Sequence, residues 1–111
     1  MNFLDYQHET AKTAIYPSSS PAEALSYVTL GLVGEAGEIA NKVKKILRDD
    51  SGVVNPARRE LILEELGDVL WYASQIATEL GKSLEQVASS NIAKLRARAE
   101  RGTLQGSGDN R

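Results

Sequence analysis

The chain has 111 residues, enough for one domain with a modest core, yet close to the size at which a lone helical hairpin is marginal and association with further copies would help. Charged residues make up 25% of it and aromatic ones 5%, and the formal net charge is -2, so no global basic field selects a nucleic-acid polymer as partner. The absence of cysteine excludes a disulfide framework, thiolate zinc sites and thiol catalysis.

Asn2 caps a first helix expected from Phe3 to Ile15, on which Phe3, Tyr6, Ala11 and Ala14 are the less polar positions. This N-terminal stretch lacks the apolar core of a secretory leader, and no run approaches the roughly eighteen apolar residues of a membrane span. A soluble, cytoplasmic protein with no membrane partner is therefore expected. Tyr16-Pro17-Ser18-Ser19-Ser20-Pro21 is a break, because proline disfavours helix in the residue before it and the serines form turns. Ser20 then opens a second helix as its N-cap, with Pro21 at the first helical position and Glu23 closing a capping box. That helix should run to Arg48, roughly 40 Å at 1.5 Å per residue. Gly31, Gly34 and Gly37 interrupt it, each costing about 1 kcal/mol relative to alanine. Their spacing leaves a bare stripe beside Glu35 and Glu38, on which a neighbouring backbone or a ligand can come close.

Asp49-Asp50-Ser51-Gly52 ends the second helix, and Asn55-Pro56 repeats the cap-then-proline signal to open a third, expected from Pro56 to Leu80. Two long helices joined by so short a loop make an antiparallel hairpin. Leu66, Val69, Ala73, Ile76 and Leu80 form the third helix's apolar stripe, and Leu61, Glu65, Asp68 and Tyr72 run beside it. Gly81 stops this helix. Ser83-Leu84-Glu85-Gln86 is a second capping box, opening a fourth helix to Glu100. Gly102 closes it, so residues 1–102 read as one all-α domain and residues 103–111 as a flexible C-terminal tail.

The chemistry is concentrated in two acid pairs. Leu25, Val28, Leu32, Ile39, Val43 and Ile46 define the buried line of the second helix, and Glu35 falls into the same series. A carboxylate in that position needs a cation, a positive side chain or a raised pKa. Glu35 and Glu38 on one helix, with Glu65 and Asp68 on the other, offer four oxygen donors to a hard divalent ion, Mg2+ or Mn2+. The plainer reading makes them solvated acids bridged to Lys42 or Arg59; two pairs facing each other across one hairpin favour the metal. Glu64 lies about 100° round from Glu65, which makes it a solvent-facing acid or one that supports the ligands from behind rather than a primary ligand. A di-iron bundle would add two Glu-x-x-His turns, and the one histidine, His8, has no such spacing. Asn91, Lys94 and Arg98 make a polar line on the last helix, suited to a polyphosphate if it lies beside the metal. Tyr72, one turn after Asp68, can stack on a base or bond a sugar, or simply pack in the core, and Trp71 packs between helices or subunits.

Tyr6-Gln7, the Gly31 to Asp49 stretch around Glu35-x-x-Glu38, Glu64-Glu65-Leu66-Gly67-Asp68-Val69-Leu70-Trp71-Tyr72 and Asn91-x-x-Lys94-Leu95-x-x-Arg98 together resemble the MazG-like all-α nucleoside triphosphate pyrophosphohydrolases. The family's usual motif carries one more acid where this chain has Gly34. The resemblance implies hydrolysis of (deoxy)nucleoside triphosphates to monophosphate and pyrophosphate, with Mg2+, or Mn2+ in its place, held by Glu35, Glu38, Glu65 and Asp68 acting as the catalytic set. It also implies a homodimer or homotetramer in which helical hairpins of neighbouring subunits complete a four-helix-bundle core, and a role in nucleotide-pool house-cleaning. Two alternatives stay open: a non-catalytic helical oligomerisation module whose acids are structural, and a phosphoribosyl-ATP pyrophosphohydrolase of the same fold.

Overall fold

The computed structural model describes residues 1–111 and contains four helices: α1 (Phe3–Ala11), α2 (Pro21–Asp49), α3 (Pro56–Glu79) and α4 (Leu84–Arg101). The all-α expectation holds, and every helix begins on the residue its cap signal marks. Asn2, Ser20, Asn55 and Ser83 each accept a hydrogen bond from a backbone N–H of the first turn, the orphan donors that a helix start leaves over. Ser83 and Gln86 form the reciprocal capping box. At α2 the box is shifted, since Glu23 reaches back past Ser20 to accept from both the backbone N–H and the hydroxyl of Ser19. Gly81 and Gly102 adopt φ of +73° and +71°, the left-handed conformation that ends α3 and α4 at little steric cost.

α1 stops at Ala11, four residues before the expected end at Ile15. The following backbone bonds are i to i+3 or tighter, from Thr13 to Thr10, Ala14 to Ala11 and Ile15 to Thr13, so the chain tightens into turns and carries Tyr16 back over α3. The reason is a competing set of partners on α3: the Trp71 indole N–H donates to Thr13 Oγ1 at 2.9 Å, and the Tyr16 hydroxyl donates to Gln75 and Glu79.

α2 and α3 form the antiparallel hairpin. Asp50 meets Arg58, Lys42 meets Glu65, Glu35 meets Asp68 and Gly31 meets Tyr72, so one helix descends as the other climbs. α1 lies against α3 and α4, and α4 packs on α1 and α3 without reaching α2. No helix is long and apolar enough to cross a membrane.

The seam between α1 and α3 is polar and sealed. Ser74, Gln75 and Thr10 are buried, and they bond one another: Gln75 Nε2 donates to Thr10 Oγ1 at 2.6 Å, and Thr10 Oγ1 lies 3.1 Å from Ser74 Oγ. Gln7 closes the far end, accepting from the Leu84 N–H and donating to Thr78 and to the Lys82 carbonyl. No buried side-chain polar atom lacks a partner.

The apolar core is thin. Only Ala24, Val28, Ile46, Ala77 and Leu84 among the hydrophobic residues are buried, whereas Leu30 is 72% exposed and Leu47 69%. The radius of gyration, 17.0 Å, exceeds the roughly 13 Å of a closed domain this long. The accessible surface of 7798 Å² likewise exceeds the roughly 6,000 Å² that scaling gives for a monomer of 12.0 kDa.

Candidate active site

Glu35 from α2 and Glu65 and Asp68 from α3 bring carboxylate oxygens within 4.8 Å of one another. The α3 pair shares a face because three residues make nearly one helical turn, and the antiparallel register sets Glu35 opposite both. Glu35 and Glu65 are half-buried and Asp68 is exposed. At this spacing Glu35 and Glu65 cannot ionise independently of each other. The Glu35 carboxyl hydrogen-bonds Glu65 and, with partial burial and the charges of Asp68, Glu65 and Glu38 added, its pKa is pushed up to about 7. Glu65 is held below its ordinary value, first by that same hydrogen bond and then by Lys42, whose ammonium lies 3.1 Å from it. The pair therefore shares one proton near neutrality.

Glu38 lies outside the converging group. Its carboxylate, more than half exposed, is 3.9 Å from Lys42 Nζ, so Lys42 stands between Glu38 and Glu65. The bridge to Lys42 foreseen for structural acids thus coexists with a cluster of three oxygen donors. That donor set fits a hard divalent cation: it is all oxygen, carries more negative charge than Lys42 balances, and retains a proton that a cation would displace.

The α3 face that bears Glu65 and Asp68 continues through Tyr72, Gln75 and Glu79 at steps of three and four. Tyr72 lies against Gly31, where a Cβ would fall 2.2 Å from the ring. Here the glycine stripe has its close neighbour, while Gly34 and Gly37 face open space. Burial raises the Tyr72 phenol pKa, and the charges of Tyr27, Glu35 and Asp68 raise it further. Trp71 meets Tyr72 edge to face at 5.0 Å and Tyr16 at 6.2 Å, and Tyr16 stacks on Tyr27 at 5.5 Å. Four of the six aromatic residues thus gather beside the acids. One recess is lined by Thr13, Glu35, Asp68, Trp71 and Tyr72. A second shares Thr13, Trp71 and Tyr72 with it and extends to Ile15, Tyr16 and Tyr27. Polar carboxylates lie at one end of this continuous surface and flat rings at the other.

The α4 residues are elsewhere. Asn91 and Lys94 line a separate polar recess with Lys82 and Glu85, and Arg98 is buried with its guanidinium donating to the Asp109 carbonyl at 2.8 Å. Within one chain none of the three reaches the acids. Thr13 and Tyr16 have no spacing signal in the sequence, because a loop carries them to the site, whereas Tyr27 lies on α2 at steps of four from Gly31 and Glu35 and could have been placed on their face by helical spacing. Tyr6, whose phenol pKa is raised by burial and then by Asp68, flanks the cluster from α1.

Residues 24–103 match the MazG nucleotide pyrophosphohydrolase domain. The chain belongs to this family. Gene 37 protein of Mycobacterium phage L5 is 55% identical over 109 residues, which cover 96% of each chain. No solved structure matches the chain. The match to the MazG domain takes in all three converging acids and Tyr72, and it begins inside α2, so α1 and the turns after it lie outside it.

Proposed function

We propose that this MazG protein hydrolyses (deoxy)nucleoside triphosphates to the monophosphate and pyrophosphate, with Mg2+ as cofactor and Mn2+ as a working substitute. The observation that carries the reading is the convergence of Glu35, Glu65 and Asp68 from two helices beside a surface of flat rings. These three acids would hold the cation, with Glu38 as the fourth carboxylate at the edge of the set. A divalent ion bound there neutralises phosphate charge and lowers the barrier to attack by water. The chain's own groups do the rest. Lys42 keeps Glu65 ionised and aimed, the cluster's carboxylates accept the proton that water loses, and Tyr72 with Trp71 takes the base and sugar. Water adds across the bond between the α- and β-phosphates, so no covalent nucleophile is required.

The working unit is a homodimer or homotetramer. The surplus of roughly 1,800 Å² of accessible surface over a closed monomer exceeds the roughly 800 Å² each partner buries in a standard interface. Asn91 and Lys94 then serve as phosphate contacts across that interface, since α4 does not reach α2 of its own chain, whereas Arg98 is buried and held by its own C-terminal segment through the Asp109 carbonyl. The competing reading, a non-catalytic helical module, draws on the ion pairs of Lys42 with Glu65 and Glu38. Pyrophosphate release from a panel of canonical and damaged triphosphates, with Mg2+ and with excess chelator, separates the two. Metal-dependent release from at least one triphosphate is expected; full turnover in chelator would sink the metal role, and no turnover on any substrate would leave the module reading.

A further inference from the structure

We propose that the turns after α1, Lys12 to Tyr16, are the positioning element for the nucleobase end of the site, with Thr13 acting through the indole of Trp71. The proposal rests on the triphosphate reading above and adds to it the part of the chain that sets how the base is held.

Thr13 belongs to both recesses, the one that contains Glu35 and Asp68 and the one that runs to Tyr16 and Tyr27. Its hydroxyl is committed twice, accepting from Trp71 Nε1 at 2.9 Å and donating to the Thr10 carbonyl at 3.2 Å. Thr10 is itself fixed in the sealed seam by Gln75 and Ser74. The Trp71 ring is held a second time, by Tyr16 standing perpendicular to it at an interplanar angle of 87°, and the Tyr16 hydroxyl is tied to Gln75 and Glu79. An indole has one polar atom, and here that atom is aimed by a threonine whose own backbone is braced against a buried network.

The geometry then fixes which part of a ligand this controls. Phosphates belong with the carboxylates, so a base attached to them extends over the surface that Thr13, Trp71 and Tyr72 share. A planar heterocycle gains from a flat ring only when the ring's tilt is set beforehand. The segment lies outside the residues that match the MazG domain, whereas the acids lie inside them. The hydrolytic centre and the element that orients the base are thus separate pieces of the chain.

Thr13→Val keeps the side-chain shape and removes the acceptor. Its expected effect is a KM for the preferred nucleoside triphosphate raised about fivefold to tenfold, as for one lost hydrogen bond, with kcat and the inhibition constant of inorganic tripolyphosphate within about twofold of wild type. Tripolyphosphate carries no base and reports on the acid end alone. Thr13→Ser, which keeps the hydroxyl, should restore the wild-type KM. In a Trp71→Phe background, where the donor is gone, Thr13→Val should add nothing further to KM. Trp71 is the sole tryptophan, so its emission reads the same contact directly: it should shift in Thr13→Val and not in Thr13→Ser. Thr13→Ala carries the same expectation should the valine variant fail to fold. A KM unchanged in the folded valine or alanine variant, or raised equally with and without the indole N–H, overturns the proposal while leaving the enzyme reading intact. A wild-type protein inactive on every triphosphate defeats both.

Discussion

Helix α3 presents one continuous line of polar side chains to two different neighbours, and the two halves of that line have opposite fates. Toward its C-terminus, Gln75 and Glu79 meet Thr10 and Tyr16, and every buried polar atom there finds a partner. Toward its N-terminus, Glu65 and Asp68 meet another acid, Glu35, and only Lys42 offsets their charge. One half is a finished hydrogen-bond network and works as structure. The other keeps surplus charge and a retained proton in a site open to solvent, an arrangement that suits a ligand of opposite charge.

The sharpest test of this contrast is to remove a charge from the open half. Asp68→Asn should lower pyrophosphate release at saturating substrate on the order of a hundredfold or more, while the metal-free melting temperature stays level or rises because like charges are relieved. Glu38→Gln should follow the same pattern if that residue serves as the fourth carboxylate. A destabilised Asp68→Asn protein with wild-type turnover would make the acids structural. The converse substitution is Thr10→Val in the sealed half, which strands Gln75 Nε2 and the Ser74 hydroxyl. It should cost about 1–3 kcal/mol in urea unfolding and leave the metal requirement unchanged.

Acidity sharpens the comparison without mutation. Glu35 moves from an ordinary 4.5 to about 7 in the folded chain, chiefly through its hydrogen bond to Glu65, so the folded state binds that proton more tightly than the unfolded one. Its contribution is complete below about pH 4.5 and lost as the pH rises through about 7. Glu65, shifted down, contributes in the opposite sense and loses its share as the medium turns acidic. Metal-free melting temperatures should therefore fall by a few degrees from about pH 5.5 to about pH 8, and saturating Mg2+ should abolish or reverse the fall by taking the proton's place. A metal-free profile flat across that range would mean that Glu35 and Glu65 do not share a proton. The smallest effect is expected far from both halves: Lys94→Ala should raise the KM for triphosphate several-fold with little change in metal affinity or melting temperature, as for a phosphate contact made from a neighbouring subunit.

The helices were legible before any tertiary information, because their starts and stops are local chemistry. Asn2, Ser20, Asn55 and Ser83 cap them, Gly81 and Gly102 end two of them, and these signals place α2, α3 and α4 to within a residue at either end. The spacing of Glu65 and Asp68 likewise fixed their common face, since it follows from the helical repeat alone. The apolar series through Leu32 and Ile39 likewise turned Glu35 inward, but local rules could not decide whether Glu38, three residues on, joins it at α3, because that depends on how the two helices are rotated against each other. That rotation follows from packing, with Gly31 admitting the ring of Tyr72 and so drawing Glu35 toward Asp68 and leaving Glu38 to Lys42. The early end of α1 has the same origin. Residues 12–15 carry no strong helix breaker, and it is Trp71, Gln75 and Glu79, far away in sequence, that offer Thr13 and Tyr16 better hydrogen bonds than another turn of helix would.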